Sequence, residues 1–202
     1  RGSVRLRAIV TDDVPLGVVV SPKGPWARNA ADGRNVNWLT SDALADLGGH
    51  VRVPTSLNVM SMDRTNWQQL GQDELFATNA RRLGFAYVRM GAEPTFTCAP
   101  YQTDSAPVFG EQIAWSESNA VAYANSVIGA RSNRNSGIIE LFGAILGKVP
   151  FFDLLTDEGR QAKWVVEVKT SKLPEAQVLG STVGMKVMED VPYVKGLGQF
   201  LG

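Results

Sequence analysis

The chain has 202 residues, 44% of them hydrophobic and 20% charged, enough for one ordinary domain or two small ones with a real core. Twenty basic residues balance twenty acidic ones, so no net field favours nucleic acid or an acidic membrane surface. A single cysteine excludes an intrachain disulfide and a paired-cysteine zinc site and fits the reducing cytoplasm, and no apolar run reaches the roughly 18 residues of a membrane span.

The opening RGSVRLRAIV has neither a signal-peptide core nor a Met, as expected of a fragment or a trimmed chain. From Val4 to Val20, apolar and charged residues alternate around the turn Thr11-Asp12-Asp13, which predicts a small β segment. Ser21 to Val36 carries Pro22, Gly24, Pro25 and Gly33 and predicts an exposed loop. Thr40 or Ser41 is placed to cap a short helix over Asp42 to Leu47, stopped by Gly48-Gly49, a natural seam. His50, the sole histidine, sits at that seam as a surface loop residue.

Beyond the seam, Val51 to Leu57 alternates as a strand, with Pro54 marking an edge or an end. Ser61 or Asp63 then caps a helical region in which Trp67, Leu70, Leu75, Phe76, Ala80, Leu83, Tyr87 and Met90 recur at helical steps, with Gly71 dividing it into two helices. Pro94 to Cys98 reads as a short buried strand, and Ala99 to Gly110 as a loop. A helix is expected over Ser116 to Gly129 and a more apolar one over Ile138 to Leu146, ended by Gly147 and Pro150. Trp164 to Val168, Ala176 to Met188 and Val191 to Val194 read as strand, helix and strand, an α/β signature. The expected fold is α/β: a helix-rich body with a C-terminal strand-helix-strand unit, preceded by a short β segment.

The blocks VPTSLNV, MDRTNW, GAEPTFTCAPY, FGEQIAWSESNAVAYANSVIGARSNR and GSTVGMKVMEDVPYVKG stand in one order after His50. In them the chain resembles the catalytic region of aconitase X, the minimal member of the aconitase superfamily, over about residues 50–202. Residues 1–49, through VRLRAIVTDDVPLGVVVSPKGPW and GRNVNWLTSDALADLGG, are similar instead to the molybdopterin-dinucleotide-binding β-barrel domain of molybdenum oxidoreductases. That likeness implies that Asn35, Asn37 and Thr40 lie near a pterin cofactor. Two such families in one chain suggest a chimera or a misjoined reading frame, with the join near Gly48-Gly49.

The aconitase X likeness implies a hydro-lyase acting on a small hydroxy acid, such as a hydroxyproline or a phosphorylated mevalonate-like acid. Hydroxide leaves poorly unless a Lewis acid takes it, and the superfamily supplies one with an iron-sulfur cluster on three cysteines. Cys98 in TCAPY corresponds to the first of these, and the chain brings no other, so the cluster is not expected to assemble on this chain alone and no turnover is expected of it. The likeness further implies catalytic roles for Tyr101, Glu111 and Ser118, with Glu111 as a proton carrier. Ser116, Asn125, Asn133 and Arg134 would bind substrate, the guanidinium suiting a carboxylate. The family's Thr-Asn-Arg-Glu-Gly-Gly is here Ser132-Asn133-Arg134-Asn135-Ser136-Gly137, so a family glutamate is absent. A small swivelling domain or subunit is the implied partner. Read without the family, Ser116 and Ser118 are helix caps, Glu111 a solvated turn residue, and Arg131 and Arg134 complements to a helix C-terminus. The alternatives to a lyase are a pterin-binding fragment and a folded, non-catalytic fusion.

Overall fold

The structure is a computed structural model and describes residues 36–200, with side chains from residue 41 onward. The expected β segment over residues 4–20, the loop after it and Asn35 lie outside the described residues. The chain divides into two compact units, one ending at Pro150 and the other starting at Phe151.

The first unit is built on three helices: α1 (Val36–Asp46), α2 (Glu74–Arg89) and α4 (Gly137–Leu146). Their apolar faces meet in a core of Ala45, Val51, Ala86, Met90, Leu141 and Ala144. Small residues at Ala45, Ala86 and Ala144 let the helices approach closely around Met90, which is fully buried. Asp73 caps α2 by accepting the Phe76 N–H at 2.8 Å, and Ser136 caps α4 by accepting the Ile139 N–H at 3.4 Å. Gly147, at φ +67°, closes α4 in the left-handed conformation that its missing side chain permits.

α1 is longer than the sequence suggests. It begins at Val36, so Thr40 and Ser41 lie inside it and do not cap it. Ser41 is buried and donates its hydroxyl to the Tyr87 hydroxyl of α2 at 3.0 Å. The expected seam at Gly48-Gly49 is therefore a turn inside one packed unit, since Ala45 before it and Val51 after it share the same core.

Two expected strands do not form. Val51–Leu57 is a connector tied at scattered points: Val51 N–H to Met90 O, Arg52 N–H to Ala144 O and Leu57 N–H to Glu93 O. Its far end pairs in parallel with the 93–97 segment through one bridge, Ser56 to Glu93, with the Glu93 N–H on Thr55 O at 2.8 Å and the Thr97 N–H on Leu57 O at 3.0 Å, and the pairing is too short to make a strand. Pro94–Cys98 is interrupted by Phe96 at φ +44°, a conformation no strand contains, and Cys98 is exposed rather than buried. The expected first half of the 61–90 helical region is a turn in which Asp63 accepts the N–H groups of Thr65 and Asn66, ended by Gly71 at φ +64°.

α3 (Ser118–Tyr123) runs into a π turn over Ala124–Ile128, ended by Gly129 at φ +76°. One continuous α-helix was expected there. At the start of the wider turn the Asn125 amide donates to Val121 O at 2.9 Å, a carbonyl that also accepts the Ala124 N–H.

The second unit contains β1 (Trp164–Glu167), α5 (Ala176–Val187) and β2 (Pro192–Lys195), with the strands parallel and Trp164 paired with Pro192 through Glu167 with Lys195. This is the expected strand-helix-strand, nearly to the residue. The fold is α/β and helix-rich.

Candidate active site

Two segments lie side by side as an irregular parallel ladder. Bridges join Gln112 to Arg131 and Trp115 to Arg134, and the Arg131 N–H reaches Glu111 O at 2.8 Å while the Ile113 N–H reaches Arg131 O at 2.9 Å. α3 and its π turn connect the two. Ser132 is the pin of this arrangement. It is fully buried, its hydroxyl accepts the Trp115 N–H at 3.2 Å and donates to Asn133 O at 2.9 Å, and its carbonyl accepts from Asn125 at 2.9 Å. Asn125, expected to bind substrate, thus spends its amide on Val121 O and Ser132 O while its own oxygen accepts the Ser132 N–H. In this structure it holds the backbone.

At one end of the ladder two of the predicted residues meet. Trp115 brings Ser116 beside Arg134, and the Ser116 hydroxyl lies where a side chain on Gly137 would touch it, at 3.9 Å. Ser118 opens α3 and is exposed, Asn133 is buried, and Arg134 presents an exposed side chain. The turn bearing Cys98 is tied to the same helix: the Asn119 amide donates to Cys98 O at 3.4 Å, and Tyr101 stacks on Tyr123 with ring centroids 4.1 Å apart. The Cys98 turn is therefore tied to α3, which Ser118 opens and Ser116 precedes.

Glu111 stands apart. It lies four residues from Trp115, about 13 Å along an extended chain, and its carboxylate accepts the Val108 N–H of its own turn at 2.9 Å. Asn37 and Thr40 fall on α1, with side chains outside the described residues.

Sequence reasoning missed two carboxylates. Glu117, between Ser116 and Ser118, accepts from the Asn58 amide at 2.8 Å. Glu140, on α4, is 8% exposed and neither of its oxygens has a hydrogen bond of normal geometry. Burial pushes its carboxyl above the usual carboxylate range, and the side-chain and backbone amides of Asn135 offset this in part. The signal for it was a lone acid within the apolar run GIIELFGAIL.

Comparison with known proteins decides the ancestry. The family described as the aconitase X first domain matches residues 33–158, more than half of the chain. This chain belongs to the aconitase X family. The molydopterin dinucleotide binding domain matches residues 1–56, so the two matches overlap across α1 and the connector after it, in agreement with the fusion read from the sequence. The chain is 41% identical over 162 residues to the cis-3-hydroxy-L-proline dehydratase of Pseudomonas aeruginosa, covering 79% of this chain and 28% of that protein. It is 42% identical to the phosphomevalonate dehydratase large subunit of Thermococcus kodakarensis, covering 75% of this chain and 38% of that one. The crystal structure of Thermococcus kodakaraensis aconitase X, in its holo form, superposes with a TM-score of 0.68 at 39% identity, over 80% of this chain and 41% of that chain. The aconitase X member thus spans well under half the length of these relatives.

An iron-sulfur cluster does not fit the donors this chain provides. Cys98 is its sole cysteine, and among the described residues no group of three or more His, Cys, Asp or Glu side chains could hold a metal. No helix among those residues is long and apolar enough to cross a membrane.

Proposed function

We propose that the chain carries the substrate-binding half of a hydro-lyase of the aconitase X type, acting on a small hydroxy acid of the kind named for its relatives, cis-3-hydroxy-L-proline or phosphomevalonate. The observation that supports this reading is the ladder end at Trp115–Arg134, which sets Ser116 beside Arg134 and its neighbour Asn133, while α3, opened by Ser118, holds the Cys98 turn. Arg134 receives the substrate carboxylate through paired N–H donors, and Ser116 and Ser118 hydrogen-bond its hydroxyl end. Tyr101, stacked on Tyr123, closes the side nearest Cys98. Glu111 serves as a proton carrier only in a state that releases it from the Val108 N–H.

The metal centre of the parent family requires thiolates from outside this chain, and a small swivelling domain or subunit completes the cleft. The cytoplasm is the matching compartment for an exposed lone thiol. In a titration of the purified chain followed by NMR, both hydroxy acids should shift the Ser116, Ser118 and Asn133 amides, and Arg134→Ala should weaken binding at least about tenfold, as for loss of a charged hydrogen-bond pair. Absence of binding, or binding indifferent to Arg134, rejects this reading.

A second reading rests on the match of residues 1–56 to the molydopterin dinucleotide binding domain: a pterin-holding fragment using Asn35, Asn37 and Thr40. Molybdenum and pterin analysis of the purified chain tests it, with co-purifying cofactor as its expected result and none as its refutation.

A further inference from the structure

Between α1 and α2 lies an open cleft of about 340 Å³, lined by Asp42 and Asp46 from the first helix and by Arg81, Arg82, Phe85 and Arg89 from the second. None of these residues belongs to the ladder. Residues four apart on a helix share a face, so Arg81, Phe85 and Arg89 form one ridge along α2, and Asp42 and Asp46 form the facing wall.

The charges in the cleft do not balance. Asp42 pairs with Arg82 at 3.2 Å and Asp46 with Arg89 at 3.1 Å, and Arg81 has no carboxylate partner among the described residues. Its guanidinium lies over the Trp67 ring instead, 5.1 Å from the centroid. That contact uses the flat face of the group and orients it, while the N–H donors in its plane stay available to an anion. With three guanidinium groups against two carboxylates, the cleft attracts negative charge.

Phe85, one turn further along the ridge, is 64% exposed. A phenyl ring left in water between two arginines offers a face on which a second ring can stack. Asp46 gives its Oδ1 to Arg89, and its Oδ2 keeps lone pairs for hydroxyl donors across the cleft. An anion, a flat ring and hydroxyl donors are together the parts of a nucleoside monophosphate, and the cleft has the volume of a small-molecule site.

We propose that this cleft binds a nucleoside monophosphate, with the phosphate on Arg81, the base stacked on Phe85 and the ribose hydroxyls on Asp46. The phosphate and base contacts lie on α2, outside the match of residues 1–56, so the site is independent of the pterin reading and of the hydroxy-acid site.

The test is a titration of the purified 202-residue chain with adenosine monophosphate, followed by NMR, beside adenosine alone and inorganic phosphate alone. Saturable shifts of the Asp46, Arg81 and Phe85 amides are expected, with the intact nucleotide bound more tightly than either half. Phe85→Ala should weaken binding about fivefold or more, the scale of one base stacked on an aromatic ring. Arg81→Ala should weaken it about tenfold, the scale of a hydrogen bond to a charged group. Neither side chain belongs to the core of the first unit, and Phe85→Leu, which keeps the apolar bulk and removes the ring, should show the same loss as the alanine. Absence of saturable binding, inorganic phosphate bound as tightly as the nucleotide, or an affinity untouched by these substitutions each overturns the inference. Added cis-3-hydroxy-L-proline should leave the nucleotide affinity unchanged, and competition between the two overturns the inference as well.

Discussion

The two units of the chain are held by different means. The first unit surrounds Met90 and Ala86 with α1, α2 and α4, and its core is out of water. The second has regular elements in register but little burial: Val165, Val178, Met185, Met188 and Tyr193 are all 60% exposed or more. What fixes its geometry at one end is a polar clasp, in which Asp190 accepts from the Lys163 ammonium and the Trp164 indole, each at 3.0 Å. Regular secondary structure is thus no measure of stability, because parallel strands draw theirs from covered faces.

The sharpest way to break the comparison is a methionine truncation in each unit. Met90→Ala removes a fully buried side chain from a packed core and should cost about 2–5 kcal/mol, read from urea unfolding. Met185→Ala removes a side chain that is 72% exposed and should lie within about 0.5 kcal/mol of the wild-type chain. Similar losses at both positions would show that the second unit buries Met185 in solution and would remove the contrast.

A polar change inside the first unit should come next in size. Ser132→Ala deletes the acceptor of the Trp115 N–H and the donor to Asn133 O in a site without water access. The stranded groups should cost about 1–3 kcal/mol, with the Trp115 amide losing protection in hydrogen exchange. A neutral outcome would mean that the Gln112–Arg131 pairing alone holds the ladder.

Legibility from sequence followed the same division, with the opposite sign. The second unit was readable nearly to the residue, because β-branched runs and a helix bounded by Pro174 and Asp190 depend on local chemistry. The first unit was readable in α2 and α4, whose apolar steps and caps are local, and misread where tertiary bonds decide. Ser41 looked like a cap and is a buried donor to Tyr87, 46 positions away. The 51–57 and 94–98 segments carry strand-like residues and meet at one parallel bridge, Ser56 to Glu93, but the pairing stops where Phe96 turns to φ +44°. At the site, Ser116, Ser118, Asn133 and Arg134 were named from the motif, and the Trp115–Arg134 bridge sets Ser116 beside Arg134. Asn125 was named as a ligand and holds backbone, and Glu140 went unnoticed because an acid in an apolar helix reads as its solvated face until the packing is known.

The smallest effect belongs to the clasp, and its pH dependence identifies it. Hydrogen bonds from Lys163 and Trp164 hold the Asp190 carboxyl below its usual value of 3.8. A carboxyl depressed in the folded state contributes stability above its unfolded pKa and loses it as pH falls through the lower folded value. The same contact raises the Lys163 ammonium above its usual 10.5, so the lysine's contribution is complete below that value and is lost as pH rises through the higher one. Asp190→Asn should therefore lower the thermal midpoint of the second unit slightly at neutral pH and leave it unchanged in strong acid, where the wild-type carboxyl is already protonated. Because the clasp is exposed, added salt should shrink the difference. The Trp164 indole N–H reports the contact directly: its exchange with solvent should quicken in the variant, while that of the Trp115 backbone amide in the first unit stays as it was. A variant that leaves the Trp164 indole exchange unchanged, or that destabilises equally in acid, would assign the order of β1 and β2 to backbone pairing alone.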